Sequence, residues 1–161
     1  MIREPTSREL LKLRAVADYQ FGRGTGAHLF PSGLTVVVSG GRIRQVWRGR
    51  TPLCSVRATD GFLLPHREGA RILHRILPPG RLRVTVTGKV AGEVERGRTV
   101  FAKHVLEADP GIRPREEVLV VDPSGRLLAT GTALLSGEEM KAFKHGKAVK
   151  VRWGMGGKGV P

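Results

Sequence analysis

A single cysteine, Cys54, in 161 residues excludes an intramolecular disulfide and any zinc site built from several thiolates. Cys54 itself reads as a small buried hydrophobe. Asparagine is absent, and glutamine occurs only as Gln20 and Gln45. Such a scarcity of labile amides suits a thermophile, although the preference for arginine (20 of 28 basic residues) follows equally from genome base composition. Aromatic residues make up 5% of the chain. No run approaches the roughly 18 apolar residues needed to cross a bilayer, and the charged start of the chain lacks the apolar core of a secretory signal. A cytoplasmic protein without membrane partners is expected. Acidic residues are scarce too: 14 against 28 Lys and Arg, a net charge of +14. Residues 1–79 carry 13 basic and 5 acidic side chains and residues 80–161 carry 15 and 9, so the excess of +8 and +6 is spread over the chain and points to a polyanion, nucleic acid first.

The 40% apolar content is patterned for one compact domain or two small ones. Leu10, Leu11, Leu13, Val16 and Ala17 recur at helical spacing over residues 6–18, with Thr6 or Ser7 as N-cap and Glu9 in the first turn. Glycines 22, 24 and 26 are expected to break that helix, with Asp18 to Gly22 as its exit, its aromatics packed for structure. Two β-branched runs, 34–38 and 42–47, joined through Ser39-Gly40-Gly41, predict a hairpin. A strand over 53–59, a turn at Asp60-Gly61 and a helix over 67–76 complete an α+β unit over residues 1–77. Pro78-Pro79-Gly80 marks the boundary. Beyond it, strands over 81–86, 99–106, 117–122, 127–135 and 148–153, with short helices near 90–96 and 137–144, predict a mostly-β small barrel over 80–153. Residues 154–161 lack apolar periodicity and are expected to form a flexible tail.

Several linked motifs carry a resemblance. Gly97-Arg98-Thr99-Val100-Phe101-Ala102-Lys103, Ile112-Arg113-Pro114, residues 117–122 and 127–131, and Gly146-Lys147-Ala148-Val149-Lys150-Val151-Arg152 resemble the PUA domain of tRNA-modifying enzymes. Asp18-Tyr19-Gln20-Phe21-Gly22-Arg23-Gly24 and Thr59-Asp60-Gly61-Phe62 resemble the domain that precedes it in archaeal tRNA-guanine transglycosylase and archaeosine synthase. The resemblance implies an RNA-binding surface from Glu95 to His104 with the last strand alongside, and tRNA, near its acceptor stem and 3′ end, as the partner. Chemistry agrees: Arg96, Arg98 and Lys103 can neutralise phosphates, and the backbone at Gly97 can approach a sugar-phosphate chain closely. Thr99, His104, Lys147, Lys150 and Arg152 complete the expected site, the last two on one face of the final strand. Phe101 is expected in the core. Arg42, Arg44, Arg48 and Arg50 follow strand spacing and form a candidate second RNA contact. Gln20, Gln45, His104 and Trp153 are the few side chains suited to reading bases.

Enzyme-like signals fail. Gly22-Arg23-Gly24-Thr25-Gly26 lacks the preceding strand of a dinucleotide fold, Gly157-Lys158 lacks the rest of a phosphate loop, and His66-Arg67-Glu68 lacks the downstream cysteine pair of zinc deaminases. No catalytic residue, metal site or cofactor is expected. The transglycosylases it resembles carry a catalytic barrel and a cysteine-rich zinc site, and with one cysteine in 161 residues neither is expected in this chain. The expected function is therefore non-catalytic RNA binding. Its rivals are an accessory subunit beside a separate catalytic chain of the archaeosine pathway, and an independent enzyme whose site assembles only in space.

Overall fold

The computed structural model describes residues 1–156, which divide into two compact units, Met1–Leu77 and a second beginning at Pro78. The first contains a five-stranded antiparallel sheet in sequential order: β1 (Ile2–Arg3), β2 (Thr35–Ser39), β3 (Arg42–Arg48), β4 (Thr51–Val56) and β5 (Leu63–Pro65). Helices α1 (Ser7–Phe21), α2 (Thr25–Leu29) and α3 (Arg67–Ile76) accompany it. Leu13, Ala17, Phe21, Phe30, Val36, Val46, Leu53 and Leu73 form the core, with Cys54 fully buried among them.

Helix α1 begins on a capping box. The Thr6 hydroxyl accepts from the Glu9 N–H, and the Glu9 carboxylate accepts from the Thr6 N–H, so two otherwise orphaned donors are satisfied. The helix runs to Phe21, three residues past the predicted end, with Gly22 as its C-cap. The glycines that follow do not leave a loop. Asp18 accepts from the N–H of Gly26, and the Thr25 hydroxyl donates to the carbonyls of Ala17 and Gly22, which together anchor α2 against the end of α1. The hairpin between β2 and β3 turns on Gly40 and Gly41, both at positive φ (60° and 73°), the pair of angles that a two-residue turn matching strand twist demands. Strand β5 lacks the length to announce itself in sequence. Its Leu63 exchanges two bonds with the buried amide of Gln20, whose Nε2 donates to the Leu63 carbonyl (2.7 Å) and whose Oε1 accepts from the Leu63 N–H (2.8 Å).

The second unit is a nearly closed six-stranded barrel: β6 (Arg83–Val86), β7 (Val100–Phe101), β8 (Val105–Ala108), β9 (Glu117–Val121), β10 (Leu127–Ala133) and β11 (Lys147–Gly154). The order is β7-β11-β10-β9-β6-β8, antiparallel except for β6 beside β9. Every residue of β9 is buried, as befits a central strand. Two short helices, α4 (Ala91–Glu95) and α5 (Gly137–Ala142), complete the unit, α5 on a second capping box formed by Ser136 and Glu139. The predicted single strand over 99–106 is two strands broken by a tight 3-10 turn at Ala102–His104. Strands β7 and β8 are the opposite edges of the sheet, so this turn carries the chain across the barrel's seam. The predicted tail also changes: Gly154 closes β11 and the N–H of Met155 donates to the Leu128 carbonyl, while 157–161 lie outside the described residues. None of the described helices is long and apolar enough to cross a membrane.

The capping box of α1 is joined by Arg3, whose guanidinium bonds both oxygens of Glu9 (2.8 and 3.0 Å). That pair first, and the Thr6 N–H second, hold the Glu9 carboxyl at about 2, below its ordinary 4.5. The folded-state value is the lower one, so the stabilisation is complete above the ordinary range and disappears as pH falls through about 2. Thermal melts should therefore show Glu9→Gln less stable than wild type at neutral pH, with the two curves converging toward pH 2. Thr6→Ala should cost about 1 kcal/mol.

Candidate nucleic-acid interface

The site forms at the seam. Val100 and Ala102 turn inward and are buried, so period-two alternation puts Phe101 outside, 41% exposed. The expectation that Phe101 belongs to the core is thus reversed: the same alternation assigns the two small apolar neighbours to the interior. Phe101 lines a concavity of about 380 Å³ together with Arg98, Thr99, Lys103, His104 and, from α4, Glu93 and Val94. Lys147 lies directly opposite Phe101 in the β7–β11 pairing, so its side chain neighbours the ring. Among the described residues, Arg98, Lys103 and Lys147 have no carboxylate within ion-pair distance.

The loop that carries Arg98 is held from three sides. The N–H groups of Gly97 and Arg98 donate to the carbonyls of Val94 and Glu93. The Glu95 carboxylate is gripped by Arg126 at 2.7 Å, and Arg126 also reaches Asp122 at 3.3 Å. The Ser124 hydroxyl, then the backbone N–H groups of Arg126 and Ser124, keep the Asp122 carboxyl below its ordinary range. Finally, Gly154 packs so tightly that a Cβ there would collide with the Glu95 carbonyl, which instead accepts from the N–H of Gly156. The end of β11 is thus a clamp on the loop. Arg96 is exposed beside this loop but does not line the concavity.

Arg152 belongs elsewhere. Its guanidinium pairs with the buried carboxylate of Glu117 and donates to the Thr132 hydroxyl (2.8 Å), which donates to the same carboxylate (2.6 Å). It reaches from β11 over β10 to β9, away from β7. Lys150, opposite Thr132, stays exposed. Of the residues suited to base reading, Gln20 is consumed by Leu63, and the Gln45 carbonyl accepts from the Trp47 indole (2.8 Å). His104 remains in the concavity. In the first unit the arginine series divides: Arg42 and Arg44 line one concavity, whereas Arg48 ends β3 and Arg50 lies in the turn after it, outside that concavity. Tyr19 is 80% exposed, not packed, and meets the Phe62 ring edge-on at 6.1 Å.

An N-terminal sheet with helices followed by this barrel defines a PUA-domain protein. Residues 82–155 match the PUA domain model, and residues 11–80 match the patch-forming domain C2 of tRNA-guanine transglycosylase. The chain therefore combines a C2 domain with a PUA domain, the C-terminal portion of the archaeal transglycosylases. It is similar to tRNA-guanine(15) transglycosylase of Pyrococcus abyssi, 45% identical over 97% of this chain and 27% of that protein. The enzyme of Methanothermobacter thermautotrophicus is 42% identical over 94% of this chain and 23% of its own length. The chain thus spans about a quarter of the length of these curated relatives. Among solved structures, a hypothetical protein of hyperthermophilic Pyrococcus horikoshii aligns with a TM-score of 0.73 at 25% identity, over 96% of this chain and 94% of that one. A PUA domain protein of Thermoplasma acidophilum shares the fold at 0.69 and 20% identity, over 99% and 97%.

The Glu117 pair makes a stability prediction. Removing Arg152 takes the guanidinium away from a buried carboxylate that keeps the Thr132 hydroxyl, and with that guanidinium partly exposed Arg152→Ala should cost about 2 kcal/mol. Lys150→Ala should stay within about 0.5 kcal/mol of wild type. Urea unfolding compares the two; equal midpoints would contradict a structural role for Arg152.

Proposed function

We propose that the chain is a non-catalytic RNA-binding protein of tRNA modification that holds the acceptor stem and 3′ end of tRNA in the seam groove. One observation carries the reading: Arg98 and Lys103, without acidic partners among the described residues, share a concavity with an exposed phenylalanine, and Lys147 stands opposite that ring. Phosphates would release counterions to these cations, which supplies affinity without sequence preference. An unpaired base stacks on Phe101, and the Thr99 hydroxyl and His104 ring offer hydrogen bonds to its edge. Duplex RNA exposes no base face, so the ring favours the single-stranded 3′ end over the stem.

The similarity to tRNA-guanine(15) transglycosylases supports tRNA as the RNA. Because the match falls on the C2 and PUA regions, a second reading joins the chain to a separate catalytic polypeptide; a stable complex on co-purification would favour it.

Gel shifts with tRNA, intact and lacking the 3′ end, across a range of salt test the groove. Arg98→Ala and Lys103→Ala should each reduce the slope of log affinity against log salt by about 0.7–0.9. Phe101→Ala should weaken intact tRNA by roughly 5- to 100-fold, leave the slope unchanged, and matter little once the 3′ end is removed. Wild-type binding by all three variants would refute the assignment.

A further inference from the structure

The first unit carries its own concavity, about 440 Å³, where α1 faces the start of β3 and the end of β4. Leu13, Val16 and Ile43 contribute an apolar floor. Lys12, Arg42 and Arg44 rim it, none with a carboxylate in ion-pair range among the described residues; Arg44 donates only its Nε to the Ser39 carbonyl, at 3.2 Å. Glu9 lines the same space, but Arg3 occupies its carboxylate. Arg57, a further lining residue, is held by Asp60 at 2.8 Å and lies 5.7 Å over the Phe62 ring, the ring that Tyr19 meets. Cations and apolar floor therefore run through Arg57 to the half-buried Phe62 ring and the exposed Tyr19 beside it. Arg48 and Arg50 take no part.

We infer that this groove is a second RNA site of a different kind, one that seats an unpaired stretch of nucleotides; the inference rests on the reading of the chain as RNA-binding. A double helix would need only the cations, since A-form RNA presents phosphates and ribose hydroxyls to a protein and keeps its base faces stacked. The floor and the Tyr19–Phe62 pair gain nothing from such a partner. An unpaired strand uses both: phosphates lie on Lys12, Arg42 and Arg44, and splayed bases cover Val16 and Ile43 and stack on Tyr19, beside the guanidinium of Arg57. An acidic peptide would satisfy the rim but not the flat exposed ring.

Tyr19 is the chain's only tyrosine, so tyrosine-selective labelling of the whole protein gives one set of ring signals in NMR. A short unstructured oligouridylate should shift that set upfield, and a blunt RNA duplex should not. The double variant Lys12→Ala/Arg44→Ala should bind the oligouridylate roughly tenfold more weakly, with a salt slope shallower by about 1.4, two contacts at the single-strand value. Oligouridylate binding that leaves Tyr19 unmoved, matches wild type in the double variant and is weakened by Arg98→Ala overturns the second site and leaves the seam groove standing. A Tyr19 shift produced by an oligoglutamate peptide but not by oligouridylate also overturns it, in favour of a protein partner. No binding to any RNA, tRNA included, removes both readings.

Discussion

The candidate interface depends on a barrel that stops short of closing. Strands β7 and β8 are consecutive in the chain yet occupy opposite edges of the sheet, and a three-residue turn spans the gap between them. Were residues 99–106 one continuous strand, Lys103 and His104 would alternate along a ladder instead of standing at a corner. The turn persists because its ends are tied to both sides: the Ala102 N–H donates to the Gly146 carbonyl, and the His104 carbonyl accepts from the Thr87 N–H. Gly154, pressed against Glu95, fixes the remaining wall. Rigid backbone around an open seam is what lets two flexible cations and one ring converge at little further entropic cost.

The charge distribution follows the same logic. Acidic side chains are few, and those with resolved partners mostly serve the fold: Glu9 and Glu139 cap helices, Asp109 accepts from the N–H groups of Leu82 and Gly111, Asp122 organises a turn, and Glu117 anchors Arg152. Engaged this way, they do not neutralise Arg98, Lys103, Lys12 or Arg42. The net charge of +14 is therefore a poor guide to where a polyanion lands. The partnering of individual cations is a better one.

Much of the architecture was legible in residues with a fixed local meaning. Thr6 with Glu9, the Gly40-Gly41 turn and the apolar periodicity of residues 67–76 each specify an element without help from the rest of the chain. What escaped depends on distant partners. Helix α2 exists because Asp18 and Thr25 bond across the intervening glycines, and β5 because Gln20 and β4 supply its pairing. Arg152 looked like a surface cation because nothing near it in sequence reveals that Glu117, 35 residues away, is buried beneath it. Phe101 is different: alternation leaves only one side of Val100-Phe101-Ala102 for solvent without saying which, and burial of the two small neighbours gives that side to the ring.

The amide of Gln20 has a role beyond packing. Strand β5 is the outermost of its sheet, and an outermost strand offers free donors and acceptors to any passing chain. By giving both an N–H and a carbonyl to Leu63, Gln20 imitates the neighbour that is missing there. With both groups occupied, Leu63 offers no free bond to a further strand at that point of the edge. One of the two glutamines in the protein thus finishes a sheet edge that no strand covers.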